Sequence, residues 1–236
     1  MSEPKDSAGF QVSARTILQL GAELISSDAV AFYELIKNAF DARSPSVRIA
    51  VLQRLPFGDI EAARGLLTDI SDRSDVKMLA EELVSHIDLD APDADALRTA
   101  LEDVASAPEL LDVLDGANYI LIEDSGEGMT EEDLREIYLT IGTPHRLLQK
   151  EAANSGTPIL GEKGIGRLSA MRLGHRLEVQ TSKAGEPYWN QLAIDWRWFE
   201  DPTVLLGSIP VSPTTGDRKS DPDVSGTTLE ISGLKS

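Results

Sequence analysis

The 236-residue chain has no cysteine, which excludes disulfides and thiolate metal sites and is consistent with a reducing cytosol. It has no apolar run near the roughly 20 residues a membrane-spanning helix needs. Its first residues, Met-Ser-Glu-Pro-Lys-Asp, lack the basic and apolar regions of a signal peptide. The expectation is a cytoplasmic protein without a membrane partner. Histidine is scarce, and His86, His145 and His175 are too scattered to suggest a metal centre; surface positions are expected for all three. Positive charge is short as well: 22 Lys and Arg stand against 40 Asp and Glu, a net charge of −18. Residues 55–117 hold 16 acidic and four basic residues, Arg64, Arg73, Lys77 and Arg98, and so carry −12 of that total. Such a surface repels phosphate backbones, which argues against this portion gripping nucleic acid by charge.

What is present is an ordinary globular composition, 41% hydrophobic and 26% charged, long enough for one large domain or two small ones. The stretch from Tyr33 to Ala42 reads as the middle of an amphipathic helix. Glu34, Asn38 and Asp41 fall at i, i+4 and i+7 and share one face. Phe32, Leu35, Ile36, Ala39 and Phe40 supply an apolar remainder expected to pack on a sheet. Taken alone, the three polar residues read as a solvated stripe, since burying them without partners would be costly.

Residues 1–12 read as a polar tail, and Ser13–Leu20 as a short helix ending near Gly21. Ser26-Ser27-Asp28 offers an N-cap for the Glu34 helix, which should stop before Ser44-Pro45. Val47–Leu52 is β-branched and alternating, a strand. Residues 55–117 read as an acidic helical insertion, with helices at Val76–His86 and Ala94–Ala105, a covering element without chemistry of its own. Asn118–Glu123 is a buried strand feeding Asp124-Ser-Gly126-Glu-Gly128-Met129. Thr130 to Asp133 forms a capping box for a helix carrying Leu134, Ile137, Tyr138 and Ile141 and ending at Gly142. Thr143 to Pro158 is polar and irregular, a loop or lid. Gly161-Glu-Lys163-Gly164-Ile165-Gly166 opens a helix closed by Gly174. Strands are expected at Leu177–Thr181, Tyr188–Trp196, more weakly Thr203–Ile209, and Gly226–Ile231, with Ser212–Ser225 a loop. The fold class is α+β in two layers.

Two glycine-rich turns at strand–helix junctions suggest a nucleotide site, because glycine admits close backbone approach and a helix N-terminus directs amides at phosphate. A P-loop is excluded: Gly156 and Gly161 have its spacing, but Glu162 stands where lysine is required. A dinucleotide fingerprint fails too, with Ser169 where its third glycine belongs. Asp124, at the end of a buried strand, could accept from an exocyclic amine, or could be a turn residue.

In order, Glu34-x-x-x-Asn38-x-x-Asp41-Ala42, Asp124-x-Gly126-x-Gly128-Met129, Gly161-x-x-Gly164-x-Gly166 and Gly226-Thr227 resemble the motifs of the gyrase, heat-shock-protein-90, histidine-kinase and MutL superfamily of ATP-binding domains. The resemblance covers nearly the whole chain apart from the tail and the acidic insertion. It implies a Bergerat fold, a mixed and mostly antiparallel sheet with ATP held under a lid over 143–160. It also implies roles. Glu34 would activate the attacking water, and Asn38 would coordinate the Mg2+ that bridges the phosphates. Asp124 would accept from the adenine amine, supported by Thr227. Gly126 and Gly128 would allow the adenine-side turn, and Met129 would line the base pocket. Gly161, Gly164, Ile165 and Gly166 would wrap the triphosphate. Lys163 would neutralise the terminal phosphate or be a solvated charge. Thr143, His145 and Arg146 stand where the lid would begin, from which they would reach phosphate once it closes. Asp41 would contact the adenine side or only its own helix.

The Glu34 motif resembles the hydrolysing branch, MutL, MORC and the heat-shock chaperones, rather than the histidine kinases. That branch implies an ATP-dependent homodimer acting as a clamp on a client protein or nucleic acid through further domains, of which this chain would be the N-terminal part. A nucleotide-gated module without hydrolysis and a histidine-kinase-like phosphotransfer domain are the alternatives.

Overall fold

The computed structural model describes residues 10–70, 72–141 and 166–235. The expected lid, with Thr143, His145 and Arg146, lies outside the described residues, as do Gly161, Lys163, Gly164, Ile165 and most of the expected tail. Six strands, β1 (Val47–Gln53), β2 (Asn118–Asp124), β3 (Gly174–Ser182), β4 (Tyr188–Asp195), β5 (Thr214–Arg218) and β6 (Gly226–Leu234), form one sheet in the order β1-β2-β6-β3-β4-β5. Every described pairing is antiparallel.

Side chains alternate between the faces of a strand, so the register decides what meets the helices. It aligns Ile122, Leu229, Val179 and Leu192 in one row and Ile120, Ile231, Leu177 and Ile194 in the next. All eight are buried in the main core. Onto that face pack helix α1 (Arg15–Leu24) through Ile17, helix α2 (Asp28–Asp41) through Ala31 and Leu35, and the short helix Ala170–Leu173 through Met171 and Leu173. Helix α1 passes straight through Gly21 rather than ending there. A side chain at that position would collide with the Met171 thioether, so the glycine serves a close approach and not a C-cap.

Helix α2 begins where expected. Ser27 Oγ accepts the Val30 N–H at 3.3 Å, a cap of about 1 kcal/mol. It ends at Asp41 in a Schellman turn: Arg43 is left-handed (φ 59°), its N–H donates to Phe40 O at 2.9 Å, and Ser44 N–H donates to Ala39 O at 3.0 Å. Leu35 and Ala39 are buried, but Ile36 and Phe40, expected against the sheet, are exposed together with Tyr33. The exposed stripe of α2 is therefore apolar.

The acidic segment folds as four helices, α3 (Phe57–Leu67), α4 (Arg73–Val84), α5 (Ala94–Asp103) and α6 (Ala107–Ala117), around their own core of residues such as Leu55, Leu83, Leu101, Leu110 and Leu114. Asn118 closes it. Its buried carboxamide accepts from Arg54 N–H (2.8 Å) and Leu55 N–H (3.0 Å) and donates to Leu55 O (2.7 Å), joining the two ends of the insertion. Beyond β4, two expectations fail. Thr203–Ile209 is not a strand: it makes a single bridge, Leu205 to Ser13, and a 3-10 turn at Leu206–Ser208. The outer edge of β4 is instead taken by β5, from the stretch expected to be only loop.

Replacing Asn118 by Ala leaves the buried Leu55 N–H and carbonyl and the half-buried Arg54 N–H without that partner, and should cost about 2 kcal/mol. Urea denaturation measures it, and an unchanged midpoint would show that the clamp contributes nothing.

Candidate functional site

One row further along the strands, the core face of the sheet turns polar. Asp124, Thr227, Thr181 and Asn190 are successive register partners across β2, β6, β3 and β4, in phase with the apolar rows. A polar group in such a place needs partners. Asp124 Oδ1 accepts the Gly126 N–H at 2.8 Å, and the Thr227 N–H also donates to the carboxyl. Burial pushes the Asp124 pKa above the usual carboxylate range, outweighing these two amides, which favour the anion. Thr181 is fully buried. Its Oγ1 accepts from Met129 N–H (3.0 Å), donates to Gly226 O (2.9 Å) and lies 3.0 Å from Thr227 Oγ1. Asn190 Nδ2 donates to Met129 O at 3.0 Å, so Met129 is held at both backbone groups while it packs against the main core.

The turn after β2 is pinned to the end of α2. Glu127 N–H donates to Ala42 O at 2.9 Å, and Arg43 Nη1 pairs with Glu127 Oε1 at 3.0 Å. Ser125 N–H donates to Ser44 Oγ (2.9 Å), and Ser225 Oγ donates to Gly126 O (2.8 Å). Gly128 sits at φ +67°, with the Ser182 carbonyl where a Cβ would project, so the turn requires glycine twice over.

Glu34, Asn38 and Asp41 are all half-buried on α2. Lys37 Nζ lies 3.4 Å from Glu34 Oε1, with only 13% of the lysine and 22% of the glutamate side chain exposed. That is too enclosed for the solvated stripe that the spacing alone suggested. Gly166, opening the 3-10 turn Gly166–Ser169, packs flat against Asn38: a Cβ there would stand 3.0 Å from both Oδ1 and Nδ2. A bulkier residue would push the carboxamide aside.

The fold thus gathers Asp124, Gly126, Gly128, Met129 and Thr227 at one end of the sheet, and Asn38 beside Gly166 on the flank of α2 that also carries Glu34. Among the described residues no group of three or more His, Asp or Glu side chains could hold a metal alone. Asn38 suits an ion that arrives with most of its oxygen ligands, as Mg2+ does with phosphates and water. Sequence reasoning missed Thr181, Asn190, Ser44 and Ser225. The first two were open to detection, since Thr181 continues the phase of Leu177 and Val179, and Asn190 that of Leu192 and Ile194.

Comparison with known proteins agrees with this geometry. The family model for histidine kinase-, DNA gyrase B- and HSP90-like ATPases matches residues 104–213. The chaperone protein HtpG of Mycobacterium tuberculosis is 28% identical over 211 residues, 86% of this chain and 25% of that protein. HtpG of Treponema denticola is 36% identical over 91 residues, 37% of this chain and 13% of that protein. A putative type II restriction enzyme, HgiDII of Herpetosiphon aurantiacus, is 38% identical over 71 residues, 29% of this chain and 11% of that protein. The chain spans no more than about a quarter of the length of these relatives. With the four motifs in order and an antiparallel α+β sheet bearing Asp124 and Thr227 as neighbours, the chain is similar in sequence and fold to the histidine kinase-, DNA gyrase B- and HSP90-like ATPases.

Proposed function

We propose that this domain binds Mg-ATP and hydrolyses it slowly, the turnover driving lid closure and dimerisation of a molecular clamp in the cytoplasm. The observation that carries the reading is the paired placement of two acceptors, the Asp124 carboxylate and the Thr227 hydroxyl, at the sheet end whose turn is pinned to the close of α2, the helix that carries Asn38 against Gly166. The acceptors suit the adenine amine. Gly126 and Gly128 keep the backbone close to the base, and Met129 packs beside it. Asn38 is the residue that would hold Mg2+, which would supply positive charge to neutralise that developing on the phosphates. Gly166, which follows Gly161, Lys163, Gly164 and Ile165 in sequence, would with them present backbone to the triphosphate, and Thr143 would close over it. Asp41 would complete the α2 wall.

Hydrolysis needs a base beside the attacking water. Glu34 lies one helical turn before Asn38 on the same flank, and Lys37 orients its carboxylate. In the reaction Glu34 would take a proton from the water as its oxygen bonds to the terminal phosphorus and the bond to the ADP oxygen breaks. The similarity to HtpG supports a chaperone-like effector acting on a client protein, and that to HgiDII a DNA-processing or defence effector, in both cases through parts of a longer protein. No helix among the described residues is long and apolar enough to cross a membrane.

Glu34→Ala should keep wild-type ATP affinity in equilibrium binding yet lower single-turnover hydrolysis by about 100-fold or more. Asn38→Ala should instead weaken binding only when Mg2+ is present. Equal, negligible turnover by wild type and Glu34→Ala in the full-length dimer would replace the enzyme with a nucleotide-gated module.

Asp124→Asn separates function from stability. Because the folded-state pKa of Asp124 lies above its unfolded value, ionisation opposes folding: the penalty is complete above the folded pKa and vanishes below the unfolded one. At pH 7 the Asn variant should therefore melt higher than wild type without nucleotide, with the gap closing as pH falls through the raised pKa. The same variant should bind ATP about tenfold more weakly or worse, the cost of about 1.4 kcal/mol in a charge-assisted hydrogen bond. A melting temperature at or below wild type throughout would contradict the first expectation, and undiminished affinity the second.

A further inference from the structure

Thr181 lies one strand beyond the two acceptors, and its hydroxyl has three neighbours for one proton and two lone pairs. The Met129 N–H can only donate, so it occupies one lone pair. Gly226 O can only accept, so it takes the proton. The one site left on Thr181 is its second lone pair, and Thr227 Oγ1 stands 3.0 Å away. Thr227 must therefore spend its own proton on Thr181. The reverse orientation, with Thr181 donating to Thr227, removes the Thr181 donor from Gly226 O inside a buried network, a costly exchange.

From this proton count we infer that Thr181 is a positioning residue for base recognition: it fixes the Thr227 hydroxyl as an acceptor toward the ligand, so that Asp124 and Thr227 together select a purine carrying a 6-amino rather than a 6-oxo group. Thr181 touches no ligand in this arrangement. It is sealed beneath Thr227 and acts only by deciding which way the Thr227 proton points. A freed Thr227 hydroxyl could rotate and donate to a 6-oxo group, and the site would lose part of its preference. The Asp124 carboxylate can only accept and so cannot offset that change.

The inference rests on the ATP-binding reading, and the test separates the two. Affinities of the chain for ATP and for inosine triphosphate, which carries oxygen where ATP carries the 6-amino group, are measured for wild type, Thr181→Val and Thr181→Ser. Wild type should prefer ATP. The valine variant, which keeps the shape and loses the hydroxyl, should narrow that preference by about tenfold, and the serine variant should restore it. If wild type binds neither nucleotide, the ATP-binding reading itself falls. If wild type prefers ATP and folded Thr181→Val keeps the same ratio, the role of Thr181 is overturned while ATP binding stands. Should the valine variant not fold, NMR of the wild type decides: a slowly exchanging Thr181 hydroxyl proton coupled to the Gly226 carbonyl supports the assignment, and a rapidly exchanging one overturns it.

Discussion

The site depends on the register of one antiparallel ladder. Asp124 pairs with Thr227 and Thr227 with Thr181 because Ile122 pairs with Leu229 and Leu229 with Val179 two residues away. Since the side-chain period is two, a slip of one residue on any of these strands would replace its member of the polar row with Glu123, Thr228 or Gln180 and expose its apolar residues. The hydrophobic pattern that fills the core is thus the same constraint that aims Asp124 and Thr227 toward the helices. A fold that depended less on this register could not hold two acceptors side by side on separate strands.

A second tie carries the arrangement from the sheet to α2. The Schellman turn turns the chain at Arg43 and leaves Ala42 O to accept from Glu127, while Ser44 takes the Ser125 N–H. Both ends of the site, the carboxamide on the helix and the carboxylate on the strand, are therefore referenced to one short backbone junction. The exposed Arg43–Glu127 ion pair across it adds little by itself. The backbone bond and the left-handed residue do the positioning.

Much of this was legible in the sequence because it follows from short-range chemistry. The Ser27 cap, the strand Val47–Leu52, the Thr130–Asp133 capping box and the strand running into Asp124 each declare themselves within a few residues. The failures are those of tertiary context. Gly21 looks like a helix stop until Met171 is placed against it, and Ile36 and Phe40 look like core until α2 is turned to present Ala31, Leu35 and Ala39. The strand Thr214–Arg218 is rich in residues that favour turns, and only the free edge of β4 makes it a strand. At the site, motif spacing singled out Asp124, Gly126, Gly128 and Thr227, whereas Thr181 and Asn190 bond other protein groups and show only in the phase of their strands.

The acidic insertion is explained by where it is anchored. Asp115 on α6 is buried between Arg64 of α3 (2.7 Å) and Arg197 (2.6 Å), and Arg197 also pairs with Asp195 on β4 (2.5 Å). Arg176 on β3 reaches both Asp195 and Asp112 of α6. Arg176 and Asp195 are themselves register partners, five residues along their strands from Thr181 and Asn190. At the rise of an antiparallel strand that separation is about 17 Å, so the network grips the far end of the sheet from the polar row. The pairs to buried Asp115 add little net stability over an apolar contact, but removing an arginine leaves that buried carboxylate short of a partner, which makes them suited to fixing one docking arrangement. The insertion thus braces the end of the β-ladder whose register the site requires, and the excess negative charge on its helices is kept away from the sheet end where an anionic nucleotide would bind.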